Sequence, residues 1–195
     1  MTAPRDRDAG GSRGDASERI VEAALGELVR CGAGSLAMHD VADRAGVSKG
    51  LIHYHYHDKN ALLARAVLRL AERISARTRG ALSVATTATA VRALAEWIVR
   101  EIELGEWRAL LSLAEWNAEN VRAAAAEALA ERRAGMQATL ERLFELLGVR
   151  PRIALAPLLD LTLAVVNGLT VESGRDGDPS AAVDALVLAL YRLTD

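Results

Sequence analysis

Apolar residues recur at helical spacing along almost the whole chain, and the segments they mark predict an all-α fold. Ile20, Val21, Ala24, Leu25, Leu28 and Val29 fall on one helical face. Asp15 and Ser17 offer N-caps for that helix, with Glu18 three residues after Asp15 as in a capping box. Gly32 and Gly34 are expected to stop it. A short second helix reads over about 37–45, with Met38, Val41, Ala42 and Ala45 on one face and Gly46-Val47-Ser48 breaking it. Ser48 can cap a third short helix running through about His55. Asp58 can cap a fourth that begins near Lys59 and carries Leu62, Leu63, Ala66, Leu70 and Ile74. Longer patterns cover 89–104, 107–115, 117–147 and 155–172, and Pro179 fits the start of a last helix ending near Leu193. About nine helices result, with no strand alternation and no internal repeat.

Composition agrees with this. Of the 195 residues, 38 are Ala and 29 are Leu, both strong helix formers. Only four prolines occur, none of them within 5–150. An all-β sandwich, a collagen-like chain and a mostly disordered chain are thereby disfavoured. Residues 1–14 are polar and Gly-rich without periodicity, and are expected to be a disordered arm. A minor-groove reading of Arg5, Arg7 and Arg13 is weaker than that of a solvated tail, because Asp6, Asp8 and Asp15 are interleaved with them. The most apolar stretch, 153–171, contains Pro157, Asp160 and Asn167 and reads as a buried helix rather than a membrane span. No secretory signal is evident, and the single cysteine, Cys31, cannot form an internal disulfide, so the cytoplasm is the expected compartment.

Net charge is -2 and carries no hint of a partner. The distribution of residue types does. All four histidines (His39, His53, His55, His57) and the only two lysines (Lys49, Lys59) lie between positions 39 and 59. Two short helices joined by a Gly-containing turn, in the same place, describe a helix-turn-helix, whose second helix enters the DNA major groove. If Val41, Ala42, Val47 and Ile52 pack inward, then Lys49, Gly50, Leu51, His53 and Tyr54 face outward. Ser48, Lys49 and Gly50 at a helix start suit a phosphate backbone, and His53, Tyr54 and His55 add donors. The His53-x-His55-x-His57 spacing is a poor metal site. Helical residues two apart point away from each other, so the three rings would not converge.

The stretch 41–63, VADRAGVSKGLIHYHYHDKNALL, resembles the signature of the TetR (tetracycline-repressor-like) family of transcriptional regulators. The Ala45-Gly46-Val47-Ser48-Lys49-Gly50 run, the aromatic and histidine cluster behind it, and a polar residue before Lys59 and a Leu pair carry the likeness. The resemblance implies groove or phosphate contacts from Ser48, Lys49, Gly50, Leu51, Tyr54 and His55. It puts His53 at the place of a phosphate-binding tyrosine, Lys59 at a backbone-contacting lysine, and His39 where a base is sometimes read. Ala37 departs from a common Ser or Thr, which removes a cap, and Tyr56 stands for a common buried phenylalanine. The implied organisation is a helix-turn-helix domain over 15–60 and a ligand-binding and dimerisation domain over 61–195, in an Ω-shaped homodimer.

Beyond residue 70 the likeness is one of architecture, with a Val166-Asn167-Gly168-Leu169 run in the penultimate helix. Trp97, Trp107 and Trp116 suit an apolar effector pocket with a few polar groups, and Glu115, Asn117, Asn120, Gln137 and Thr139 are candidates for those groups. The last two helices are apolar almost all round, as two-sided burial in a four-helix bundle between subunits requires. No catalytic constellation, Gly-rich phosphate loop or cofactor motif occurs, so neither enzyme activity nor a cofactor is expected. The expectation is a homodimeric repressor that binds a palindromic double-stranded DNA operator and is released by a small molecule. The rivals are an activator, a DNA-binding dimer governed by a protein partner without a ligand pocket, and a helical enzyme keeping a degenerate DNA module.

Overall fold

The computed structural model describes residues 9–173 and 178–195. Among them lie nine helices: α1 (Ala9–Ser35), α2 (Met38–Ala45), α3 (Lys49–His55), α4 (Lys59–Gly80), α5 (Ala90–Glu103), α6 (Glu106–Ala114), α7 (Glu119–Leu147), α8 (Leu155–Glu172) and α9 (Ser180–Arg192). The all-α expectation and the element order stand. One boundary is corrected. The helix begins at Ala9, so Asp15 and Ser17 lie inside α1 and cap nothing, and the arm expected over 1–14 is helical from residue 9. Once a helix is nucleated, each further residue adds a hydrogen bond, so propagation runs past the polar residues. The arm's Arg5 and Arg7 fall outside the described residues. At the other end α1 breaks at Gly32, whose φ of 77° lies in the left-handed region that favours glycine.

The buried faces follow the apolar pattern. Ile20, Val21, Ala24, Leu25 and Leu28 of α1 are buried, and so are Leu62, Leu63, Ala66, Leu70 and Ile74 of α4. α1 packs on α2 and α4, α6 on α7 and α8, and α5 on α9, while α4 and α7 share the longest contact. That contact is close because Gly135 has no side chain: a Cβ there would stand 2.9 Å from Thr78 Cγ2. The chain end is tied back, with Arg152 N–H donating to Leu193 O at 2.8 Å and Asp195 N–H to Arg150 O at 3.0 Å.

Within the single chain α8 buries one face only. It is long and apolar enough to cross a membrane, with a mean hydropathy of 1.4, yet only 33% of it is buried. Leu158, Leu159, Thr162, Val166 and Thr170 face inward. Leu161, Ala164, Gly168 and Val171 are exposed, as are Ala181, Ala185, Leu188 and Ala189 of α9.

Candidate nucleic-acid interface

The sequence around α3 builds a small, closed unit. Gly46 takes φ 66° and ψ 40°, and the chain turns back on α2. Gly46 N–H donates to Asp43 O at 3.2 Å and Val47 N–H to Ala42 O at 3.0 Å, which satisfies the last carbonyls of α2. Ser48 is extended, and its hydroxyl oxygen accepts from Leu51 N–H at 3.2 Å, so the expected N-cap is formed. At the start of α2, Ala37 makes no side-chain cap. Ile52 is completely buried and anchors α3 on the domain core. With that residue inward, Lys49, Gly50, His53 and Tyr54 are exposed and Leu51 is half-buried. Tyr54 is 64% exposed, which is unusual for a large ring and leaves it free to meet another surface.

The neighbouring candidates are held more tightly. His55 is half-buried, lies edge-on to Tyr54 at 5.3 Å, and its Nε2 is buried with no partner among the described residues. Tyr56 is buried like the phenylalanine it replaces, and its hydroxyl shares a 2.9 Å hydrogen bond with Ser17 of α1. Asp58 caps α4 by accepting from Ala61 N–H at 2.7 Å. His39 is exposed at the start of α2, with Nε2 2.9 Å from Asp40 Oδ1. Lys59 is not a free cation. Its Nζ stands 5.3 Å from the centre of the Trp116 ring and donates to Gly34 O at 3.5 Å, and burial lowers its pKa.

The three tryptophans, Asn117 and Asn120, expected to share an effector site, are not brought together. Trp97 and Trp107 pack edge to face, 5.7 Å apart, within the core. Trp116 Nε1 donates to Asn60 Oδ1 at 2.9 Å, and Asn120 Nδ2 to Asn60 O at 3.5 Å, so both fasten the start of α7 to the start of α4. Asn117 is exposed. A cavity of about 490 Å³ opens instead between α4 and α7, and of the expected residues only Thr139 lines it.

Several residues that shape this half carry no motif. Arg132 of α7 is buried and lies over Trp107, with its guanidinium carbon 4.2 Å from the ring centre. Burial pushes its pKa down to about 10, the buried Glu101 carboxylate acting in the opposite direction. Arg65, Arg69, Arg73 and Arg77 form a rail along α4 that meets glutamates from three other helices. Arg69 joins Glu18 and Glu22 of α1. Arg73 joins Glu22 and Glu106, and Arg77 holds Glu106 at 2.6 Å. Arg77 also grips the fully buried Glu101 along one edge, through Nε at 2.6 Å and Nη2 at 2.9 Å. The four-residue spacing of these arginines is visible in the sequence; their partners, on separate helices, are not.

A short capped helix, set across a tight turn from its companion and presenting exposed basic, polar and aromatic groups, defines a helix-turn-helix DNA-binding module. Residues 20–66 match the family model described as bacterial regulatory proteins, tetR family. No curated protein is significantly similar to the chain in sequence. Among solved structures, a TetR-family transcriptional regulator from Agrobacterium tumefaciens is similar with a TM-score of 0.77 at 19% identity, over 94% of this chain and 100% of that one. A transcriptional regulator from Saccharomonospora viridis, in complex with choline, is similar with a TM-score of 0.71 at 21% identity, over 93% and 99%. The regulator FadR of Bacillus subtilis, in complex with stearoyl-CoA, is similar with a TM-score of 0.65 at 16% identity, over 89% and 96%. Residues 20–66 are thus similar to the DNA-binding module of the tetR family, and the chain as a whole has the fold of TetR-family transcriptional regulators.

Proposed function

We propose that this protein is a homodimeric transcriptional repressor that binds a palindromic DNA operator through α3 and is released by a small molecule held in its C-terminal half. The observation that carries the reading is the exposed face of α3, held by buried Ile52 and capped by Ser48. Lys49, His53 and Tyr54 are its principal DNA-facing side chains. Ser48, Gly50 and Leu51 lie at the helix start, and His39 flanks it from α2. His55 and Lys59 border the surface. The domain division falls at the start of α4, with 15–60 facing DNA and 61–195 serving ligand binding and dimerisation.

Dimerisation is supported by α8 and α9. Their exposed faces present Leu161, Ala164, Gly168 and Val171 beside Ala181, Ala185, Leu188 and Ala189. Small residues at three- and four-residue spacing let a second helix pair approach closely, and the leucines give it apolar area to cover. Effector release is supported by the cavity between α4 and α7 and by the chemically unlike ligands, choline and stearoyl-CoA, of two proteins sharing the fold. The protein then works in the cytoplasm, on DNA. Gel shifts test this with the DNA upstream of its own gene and with genomic fragments. The expected result is a sequence-dependent, salt-sensitive complex. Absence of such a complex on every fragment contradicts the proposal.

A further inference from the structure

Among the described residues of the C-terminal half, the buried side-chain groups without hydrogen-bond partners are the indole N–H of Trp97 and of Trp107 and two nitrogens of Arg132, the one charged group of the three. Its Nη1 donates to Asn167 Oδ1 of α8 at 2.9 Å. Its Nε and Nη2 are buried and have no partner among the described residues. These two nitrogens form the side-on edge of a guanidinium, the edge that takes a carboxylate through two parallel hydrogen bonds. Arg77 shows that geometry in the same molecule, holding Glu101 through its own Nε and Nη2. A buried guanidinium left without acceptors is unfavourable, and an incoming anion relieves it.

Arg132 also forms part of the wall of the α4–α7 cavity. The size, about 490 Å³, lies in the range of small-molecule sites. Leu82, Gly135 and Ala138 give the cavity apolar surface, and Arg79 a second guanidinium. Its single carboxylate, Glu131, is engaged by the Ser75 hydroxyl at 2.5 Å. The wall therefore carries an excess of positive charge beside apolar surface. The tryptophan pair points the same way. A face of Trp107 that could hold a quaternary ammonium is already covered by the protein's own cation, Arg132.

We infer that the α4–α7 cavity binds an organic monocarboxylate with a compact apolar body, whose carboxylate takes the side-on edge of Arg132. This rests on the reading of the C-terminal half as the effector domain and names the chemical class of its ligand. The edge is closed to water in the present conformation. The carboxylate gains it when the Arg132 side chain rotates toward the cavity, off Trp107 and away from Asn167. Binding is thereby linked to α6 and α8.

Thermal-shift measurements on the full chain, without DNA, test the inference with octanoate, benzoate and phenylacetate against octanol, benzyl alcohol and choline. At about ten times its Kd, a bound carboxylate raises Tm by roughly 3–6 °C. The expected result is that at least one carboxylate does so, that its alcohol counterpart and choline do not, and that Arg132→Gln weakens the binding about tenfold or more. A variant that keeps Arg132 supplies an independent reading should Arg132→Gln fail to fold. The active carboxylate then changes the indole emission of the Trp116→Phe variant, because Arg132 leaves Trp107. The inference is overturned if none of the three carboxylates shifts Tm. An equal shift by alcohol or choline, undiminished binding by a folded Arg132→Gln, or unchanged indole emission also overturns it. Sequence-dependent DNA binding is measured separately, without carboxylates, so the failure of one reading is distinct from the failure of the other.

Discussion

Lys49 and Lys59 are the two lysines of the chain, and the structure gives them different surroundings. Lys49 is exposed at the start of α3, whereas Lys59 is half-buried over Trp116. Lys49→Ala is expected to weaken operator binding across all sequences and to reduce the salt slope by about 1, as loss of one phosphate contact does. Lys59→Ala is expected to change the slope less and to lower Tm, because it removes packing from the α4–α7 joint. Binding isotherms at several salt concentrations, beside melting curves, separate the two. Equal slopes for the two variants would remove the distinction. Tyr54→Ala is expected to weaken specific binding by about 1–3 kcal/mol with little change in Tm, since the ring is exposed. At Glu27, the hydrogen bond from Arg30 lowers the carboxyl pKa, burial opposes this, and Arg44 adds a second stabilising bond. A folded-state pKa below the unfolded value contributes stability at neutral pH, lost as pH falls through the carboxylate range near and below about 4. Glu27→Gln is therefore expected to lower Tm at pH 7, and the deficit relative to wild type should shrink on acidification. A deficit that is constant with pH would show that the ionised carboxylate is not the cause.

Among the elements, α4 and α7 share the most extensive contact and come close at Gly135. Gly135→Ala gains up to about 1 kcal/mol of helix propensity but drives a Cβ into Thr78. Thr78 cannot turn aside freely, because its hydroxyl donates to Ile74 O at 2.8 Å. Overpacking of this kind costs about 1–3 kcal/mol, so Gly135→Ala is expected to be destabilised. Thr78→Ser removes the offending methyl group, and the double variant should recover most of the loss. A double-mutant cycle by denaturant unfolding reads this directly, and additive effects would contradict it. The helices themselves were legible from periodicity and caps: Ser48, Asp58, Gly46 and Pro179 stand at the boundaries their chemistry predicts. The start of α1 was not, because polar residues without a breaker can extend a helix that packing has nucleated. The candidate DNA-facing set was legible because a helix-turn-helix is local, and its residues lie within 21 positions from His39 to Lys59. The C-terminal cavity was not. Arg132 meets Trp107 and Asn167 only through tertiary packing, and three tryptophans in sequence carry no sign of which face a cavity.

At the scale of the molecule, the arginine rail of α4 ties the DNA-facing helices to the rest of the chain. Glu18 and Glu22 of α1 and Glu106 of α6 meet neighbouring arginines on one helix. On the proposed effector mechanism, a movement at the α6–α7 end is expected to reach the N-terminal module through these ion pairs along α4. In the proposed homodimer the outer faces of α8 and α9 are the counterpart of this link, since a shift of α4 alters operator binding only if a second copy fixes the distance between two recognition helices. Leu161→Arg combined with Leu188→Arg places charge on that face. It is expected to yield a folded monomer with greatly reduced operator affinity, checked by analytical ultracentrifugation and gel shift. A double variant that remains dimeric would place the interface elsewhere. The net charge of -2 adds that the DNA surface is a small set of placed groups, so the salt slope of the complex should be modest.

The most direct test is selection of bound DNA from a random-sequence library, followed by stoichiometry on the enriched site. An inverted repeat is expected, with half-sites one helical turn, about 34–36 Å, or a multiple of it apart, bound by two protomers and lost on Lys49→Ala with Tyr54→Ala. No enrichment over random sequence, or an enriched site that the doubly substituted protein binds equally well, would contradict it.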